Sequence, residues 1–128
     1  MKFVLLNGKT IEISDAKVRE IVTTALTSNP FWMYSGILTK DDVFDFFRGE
    51  ANEQLLEKIS YYILFYVENL VLTGYLIKLI EDPTEAEDYL NYNKPLLEEL
   101  RKLNKSKKNY ETVNKMVRLC LKYGFDPF

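Results

Sequence analysis

The sequence predicts a mostly α-helical fold: a helical bundle of about five to six helices with a short N-terminal β-hairpin, in a single domain over 1–128. Three observations lead there. Apolar residues recur at intervals of three and four along most of the chain, the spacing that gathers them on one face of a helix. Good N-capping residues stand ahead of these stripes, with glycine or proline behind them. The first 13 positions break this pattern and read as two β-prone runs around Asn7-Gly8, a strong hairpin signal. With 128 residues the chain can build one hydrophobic core but not two.

The hairpin is expected over about 3–13. A lone hairpin is marginal in water, so it should lie on the bundle. A first helix is expected over about 15–28, where Val18, Ile21, Val22, Ala25 and Leu26 form one stripe, Ser14 and Asp15 can cap the start, and Asn29-Pro30 stops it. Phe31-Trp32-Met33-Tyr34 then reads as an aromatic loop ending at Gly36. Thr39 opens a second helix: with Asp42 it approximates a capping box, and Gly49 suits the C-terminal end.

Asn52 opens the third helix. Leu55, Leu56, Ile59, Ile63, Tyr66, Val67 and Leu70 keep helical spacing, and beyond Ser60 the other faces turn apolar as well. A helix that is apolar all round is a buried one. Residues 61–80 have about the length a bilayer needs, roughly 20 residues. Glu68, Asn69 and Lys78 interrupt them, however, and each mid-membrane charge costs about 2.5–3.5 kcal/mol. A central core helix is therefore expected, and no membrane partner. Asp82-Pro83-Thr84-Glu85 restarts a helix, Asn93-Lys94-Pro95 starts another carrying Leu96, Leu97, Leu100 and Leu103, and a polar break over 104–109 precedes the last. That last helix has Tyr110, Val113, Met116, Val117, Cys120 and Leu121 as its stripe and ends at Gly124. Residues 94–124 thus form a C-terminal helical hairpin.

Composition narrows the chemistry. There is no histidine and one cysteine, Cys120, which removes His-based catalysis, internal disulfides and structural zinc sites. The apolar stretch after Met1 is too short for a signal peptide, so a cytoplasmic location is expected, that of the host if the chain is viral. No catalytic residues, metal or cofactor are expected. Asp41 and Asp45, one turn apart, could share a Mg²⁺. Acids in a first helical turn are otherwise explained by the helix dipole.

Charge is the most informative feature. From 101 to 122 there are eight basic residues against Glu111 alone, about +7, so a chain of net charge −2 carries about −9 elsewhere. Lys115, Arg118 and Lys122 fall on one helical face, and Lys105, Lys107 and Lys108 lie in the preceding turn. Several mobile cations over one surface suit a phosphate backbone. The alternative is a solvated face paired with the protein's own acids. Tyr110 sits at the mouth of this surface and is the candidate for stacking on a base. Phe31, Trp32, Met33 and Tyr34 either stack in the same way or fold onto the core. A winged-helix reading, with 39–47 and 52–72 as its helices and 73–76 as a strand, is weakened by a would-be recognition helix carrying Lys58 against Glu53, Glu57 and Glu68.

The run Thr10-Ile11-Glu12-Ile13-Ser14-Asp15-Ala16-Lys17-Val18-Arg19-Glu20-Ile21-Val22, followed by Pro30-Phe31-Trp32, resembles the segment after the catalytic core in primase-polymerase replication proteins of plasmids and viruses. Leu72-Thr73-Gly74-Tyr75-Leu76 is also similar to that family's pattern. The resemblance implies a helical bundle that helps grip template and nucleotide, assisting primer synthesis without catalysing it. The hairpin-like run Lys2 to Ile13 with acidic helices after it is similar to phage tail assembly chaperones. The stretch from Asn93-Lys94-Pro95 to Gly124-Phe125-Asp126-Pro127 resembles one class of phage terminase small subunits. Two functions are therefore expected: a non-catalytic nucleic-acid-binding domain of a plasmid or virus, or a protein-binding assembly factor or inhibitor.

Overall fold

The computed structural model describes residues 2–4, 10–12, 14, 16–17 and 31–128. About three quarters of these residues are helical. Among residues 31–128 five helices follow one another: α1 (Phe31–Ser35), α2 (Lys40–Phe47), α3 (Glu53–Glu81), α4 (Pro83–Asn104) and α5 (Tyr110–Lys122). Lys2–Val4 and Thr10–Glu12 are placed in antiparallel register. The Asn7-Gly8 turn that would make them a hairpin lies outside the described residues, and the expected N-terminal hairpin is not supported as an element of the fold. The Ser14 Oγ accepts the Lys17 N–H at 3.2 Å, the bond expected of an N-cap. Position 15 and positions 18–28 of the expected first helix also lie outside the described residues.

Local chemistry fixes most helix ends. Thr39 and Asp42 form the full reciprocal capping box, and Gly49 takes the left-handed conformation (φ 77°) behind α2. Asn52, Asp82 and Asn109 cap the next three helices through their side-chain oxygens. Glu85 reaches across to Lys78 at 3.0 Å.

Two helices run longer than their sequence suggests. Pro95 does not restart a helix but sits inside α4. Its ring removes the hydrogen bond to the carbonyl of Asn91, a cost of about 3 kcal/mol in an exposed helix. Both Pro95 and Asn91 face solvent, where water can satisfy the carbonyl. Directly behind the proline, Leu96, Leu97 and Leu100 are buried, so packing carries the helix through. Likewise α3 continues unbroken through Thr73-Gly74-Tyr75-Leu76. The winged-helix reading, which needs a strand there, fails. The aromatic loop expected at 31–34 is the short helix α1: Trp32 is buried, and the Phe31 ring lies 5.3 Å from Tyr66 and 6.5 Å from Tyr62, against the core.

The frame is a long helical hairpin. α4 turns at Asp82 and runs back along α3, as the facing pairs Lys78–Glu85, Gly74–Tyr89 and Ser60–Asn104 show in order of distance from the corner. α5 and α2 also pack on α3. By length and composition α3 could cross a membrane; in the fold it is the helix around which the others gather, with Ile59, Tyr62, Ile63 and Val67 fully buried. The polar groups inside are matched. Ser60 donates to Asn104 at 2.7 Å, Thr73 to the Asn69 carbonyl at 2.6 Å, and Asn93 to the Tyr89 carbonyl at 3.0 Å. Among the described residues no buried side-chain nitrogen or oxygen lacks a partner, as a well-formed core requires.

Behind α5, Gly124 (φ 86°) reverses the chain, and the Phe125 N–H closes onto the Cys120 carbonyl at 2.9 Å. Residues 125–128 return over the bundle. Phe125 and Pro127 are buried, the Tyr62 hydroxyl donates to the Pro127 carbonyl at 2.6 Å, and the Phe128 ring meets Phe46, Phe47 and Tyr62. Burial pushes the Cys120 thiol and the Tyr66 phenol up to about 12, and that of Tyr62 higher still.

Gly74 shows how tightly α3 and α4 meet. A Cβ built there would lie 2.6 Å from the Tyr89 hydroxyl and 3.0 Å from its ring carbon. Alanine is worth about 1 kcal/mol over glycine inside a helix, but overpacking costs about 1–3 kcal/mol. Gly74→Ala is therefore expected to lower the melting temperature, whereas the same change in a Tyr89→Leu background should raise it. Equal shifts in both backgrounds would show that the two residues do not couple.

Candidate nucleic-acid interface

The basic stretch sits at the end of α4, in the 105–109 turn and along α5. Helical spacing sorts most of α5: Val113, Met116 and Cys120 are buried against α3 and α4, and Lys115, Arg118 and Lys122 are exposed, but Leu121, expected in the apolar stripe, is exposed as well. Leu100 and Val113 are buried in the core, Leu103 and Val117 are partly buried against it, and α4 packs on α5.

The seven candidate residues divide by role. Lys105, Lys107, Arg118 and Lys122 are exposed and make no ion pair among the described residues. Lys115 lies 3.6 Å from Glu111 on its own helix, an exposed pair of the kind that contributes little. Lys108 is taken up by the fold. Its ammonium donates to the carbonyls of Leu103 (3.3 Å), Asn104 and Ser106 (2.6 Å). It thereby caps the C-terminus of α4, where carbonyls are otherwise unpaired and the helix dipole favours a cation. Burial lowers its pKa, against the opposing pull of Glu57.

Tyr110, the expected stacking residue, is also occupied. Its ring is stacked on Phe46 at 5.5 Å and 8°; its hydroxyl accepts the Ala51 N–H at 2.7 Å and donates to the Phe46 carbonyl at 3.3 Å. It pins the start of α5 to the link between α2 and α3. Tyr110→Phe should keep the ring contact, lose about 1–2 kcal/mol of stability through the two hydrogen bonds, and leave any nucleic-acid affinity unchanged. A fall in affinity without a fall in stability would return Tyr110 to the binding surface.

Other cations are already committed. Arg101 pairs with Glu68 at 3.0 Å, and Lys58 with Asp42 at 2.8 Å. Burial pushes the Asp42 carboxyl up, but its bonds to Lys58 and Thr39 outweigh this and hold it below the ordinary carboxylate value. Asp42 is thus a cap and an ion-pair partner. Asp41 and Asp45 gain no third carboxylate: among the described residues no three His, Cys, Asp or Glu side chains gather where they could hold a metal ion.

Two residues of this edge escape a reading of the sequence. Tyr92 on α4 is 63% exposed, and its ring lies 5.4 Å from that of Tyr123, which follows Lys122 at the end of α5. Nothing local signals a pair separated by 31 positions; only the folding of α5 against α4 brings the rings together.

Glu57 and Glu111 are the acids that act on these cations directly, on Lys108 and Lys115, and five others, Glu81, Asp82, Glu85, Glu87 and Asp88, cluster at the α3–α4 corner. At about 1.5 Å per helical residue, the corner is roughly 25 Å along α4 from Lys102 and the basic turn. That is about three Debye lengths at physiological salt, where the screening distance is ~8 Å. The acidic corner therefore leaves the potential of the turn cations largely uncancelled. Comparisons of the chain with protein-family models, with characterised proteins and with solved structures gave no match.

Proposed function

We propose that this chain is a non-catalytic nucleic-acid-binding helical domain whose phosphate contacts come from the 105–109 turn and the outer face of α5. One observation carries the reading: Lys105, Lys107, Arg118 and Lys122 stand exposed without ion-pair partners among the described residues, Lys105 and Lys107 at the opposite end of α4 from the acidic corner and Arg118 and Lys122 along the outer face of α5. The proposed setting is cytoplasmic, as an accessory to plasmid or viral DNA replication, with no membrane partner and no cofactor.

The test is a fluorescence-anisotropy titration with single- and double-stranded DNA over a range of salt. Each phosphate neutralised adds about 0.7–0.9 to the slope of log affinity against log salt, so four cations should give a slope near about −3. A slope near zero, or no binding at physiological salt, would leave the face merely solvated.

The second reading, a protein-binding assembly factor or inhibitor, is favoured by Met33, Phe44 and Phe47, large apolar side chains exposed on α1 and α2. Lys40 and Arg48 lie over the Phe44 ring at 5.4 and 5.7 Å, giving that surface a mixed apolar and cationic character. It becomes the leading reading if the titration shows no binding.

A further inference from the structure

We propose that Tyr92 and Tyr123 form a platform for an unpaired base, so that the ligand preferred by the basic edge is single-stranded nucleic acid. The proposal rests on the reading of that edge as a phosphate-binding surface and adds to it the class of ligand.

Tyr92 presents most of a large ring to solvent, at 63% exposure. It does not wave freely, because the half-buried Tyr123 ring meets it at 5.4 Å and 57°. An aromatic side chain has few torsions to freeze, and a neighbouring ring that limits them lowers the entropic cost of binding a planar partner. The pair is placed beside the unpaired cations: Tyr123 directly follows Lys122, and Arg118 lies one turn earlier on the same face as Lys122. From this pair the cations continue past Lys115 to Lys107 and Lys105 in the turn, a distance of about 20 Å along α5. Cations tracking a backbone, with a ring at one end, are the parts that single-strand binders combine. A duplex keeps its bases stacked inside, so it can use the cations but not the ring. Tyr110 cannot serve, since its ring already lies on Phe46.

Asp88 and Glu99 are the counterparts: they lie one turn before and two turns after Tyr92 on the same exposed side of α4, and their charges oppose a phosphate passing there.

The experiment titrates the full chain with a labelled oligothymidylate and with a duplex of the same length, at one fixed salt concentration and then over a salt series. Wild type should bind the single strand more tightly than the duplex. Tyr92→Ala should weaken the single strand on the order of 10- to 100-fold, leave the duplex affinity and the salt slope unchanged, and keep the wild-type melting temperature. Tyr92→Phe should bind as wild type does. Glu99→Gln should tighten both ligands. If Tyr92→Ala binds the single strand as tightly as wild type while removal of Arg118 and Lys122 weakens it, the platform is wrong and the basic edge stands. If wild type binds duplex at least as well as single strand, the platform is also wrong. If wild type binds neither ligand, the phosphate-binding reading falls and the platform with it.

Discussion

Deleting residues 125–128 should cost the protein half or more of its folding stability. Phe125 and Pro127 are buried, and the Phe128 ring fills the space between Phe46, Phe47 and Tyr62. Losing a buried phenylalanine side chain typically costs about 3–5 kcal/mol. The deletion also strips the Tyr62 hydroxyl, on a fully buried residue, of the Pro127 carbonyl it donates to; an unsatisfied buried donor costs about 1–3 kcal/mol. Domains of this kind have total stabilities of only about 5–15 kcal/mol. Urea denaturation of the truncated chain should show a midpoint far below that of the full chain, or a broad, non-cooperative loss of helix. A truncated protein within about 1 kcal/mol of the full chain, set against that 3–5 kcal/mol expectation, would mean that the tail does not hold the aromatic cluster together.

The largest effect on binding should come from reversing Lys115, Arg118 and Lys122 to glutamate together. The net charge falls from −2 to −8, since three positive charges become three negative ones. Anisotropy should show loss of more than about 100-fold in affinity for DNA near physiological salt, as three phosphate contacts become repulsions. Stability should change little. Each of these side chains is exposed, such charges contribute roughly 0.2–1 kcal/mol to folding, and the new like-charge spacing along α5 costs about 0.2–0.5 kcal/mol per pair. The measurement pairs a melting curve with the titration. Unchanged binding in a folded triple variant would remove the phosphate-binding reading and favour a protein partner at the exposed rings of α1 and α2.

What was legible in the sequence was whatever neighbours decide. Thr39 with Asp42, Asn52, Asp82-Pro83 and the glycines 49 and 124 set their helix ends through bonds to residues two to four positions away, and all of them cap as their types suggest. Most of the buried face of α5 was equally legible, because Val113, Met116 and Cys120 recur at helical spacing, whereas Leu121, beside them in the sequence pattern, stands exposed. Pro95 misled for the opposite reason. Its local rule says stop, and the burial of Leu96, Leu97 and Leu100 overrides it. The roles of Lys108 and Tyr110 within the candidate surface were hidden as well. Lys108 caps a helix only because the turn folds its side chain back, and the Tyr110 hydroxyl meets Ala51 and Phe46 from 59 and 64 positions away. Tyr92 and Tyr123 belong to the same class: each looks ordinary alone, and the ring pair exists only once α5 lies beside α4.

The separation of acids at the α3–α4 corner from cations at the far turn has a consequence for how this molecule meets any polyanion. With a net charge of −2, a uniformly charged sphere of this size would be repelled. A body with an acidic corner and exposed, unpaired cations in a turn about 25 Å away instead feels a torque before it feels a net force. The acidic corner swings outward, the basic turn swings in, and attraction sets in once the molecule is aligned. Productive collisions are then selected by orientation rather than by bulk charge, and salt, which shortens the reach of that torque, should slow association before it hastens release.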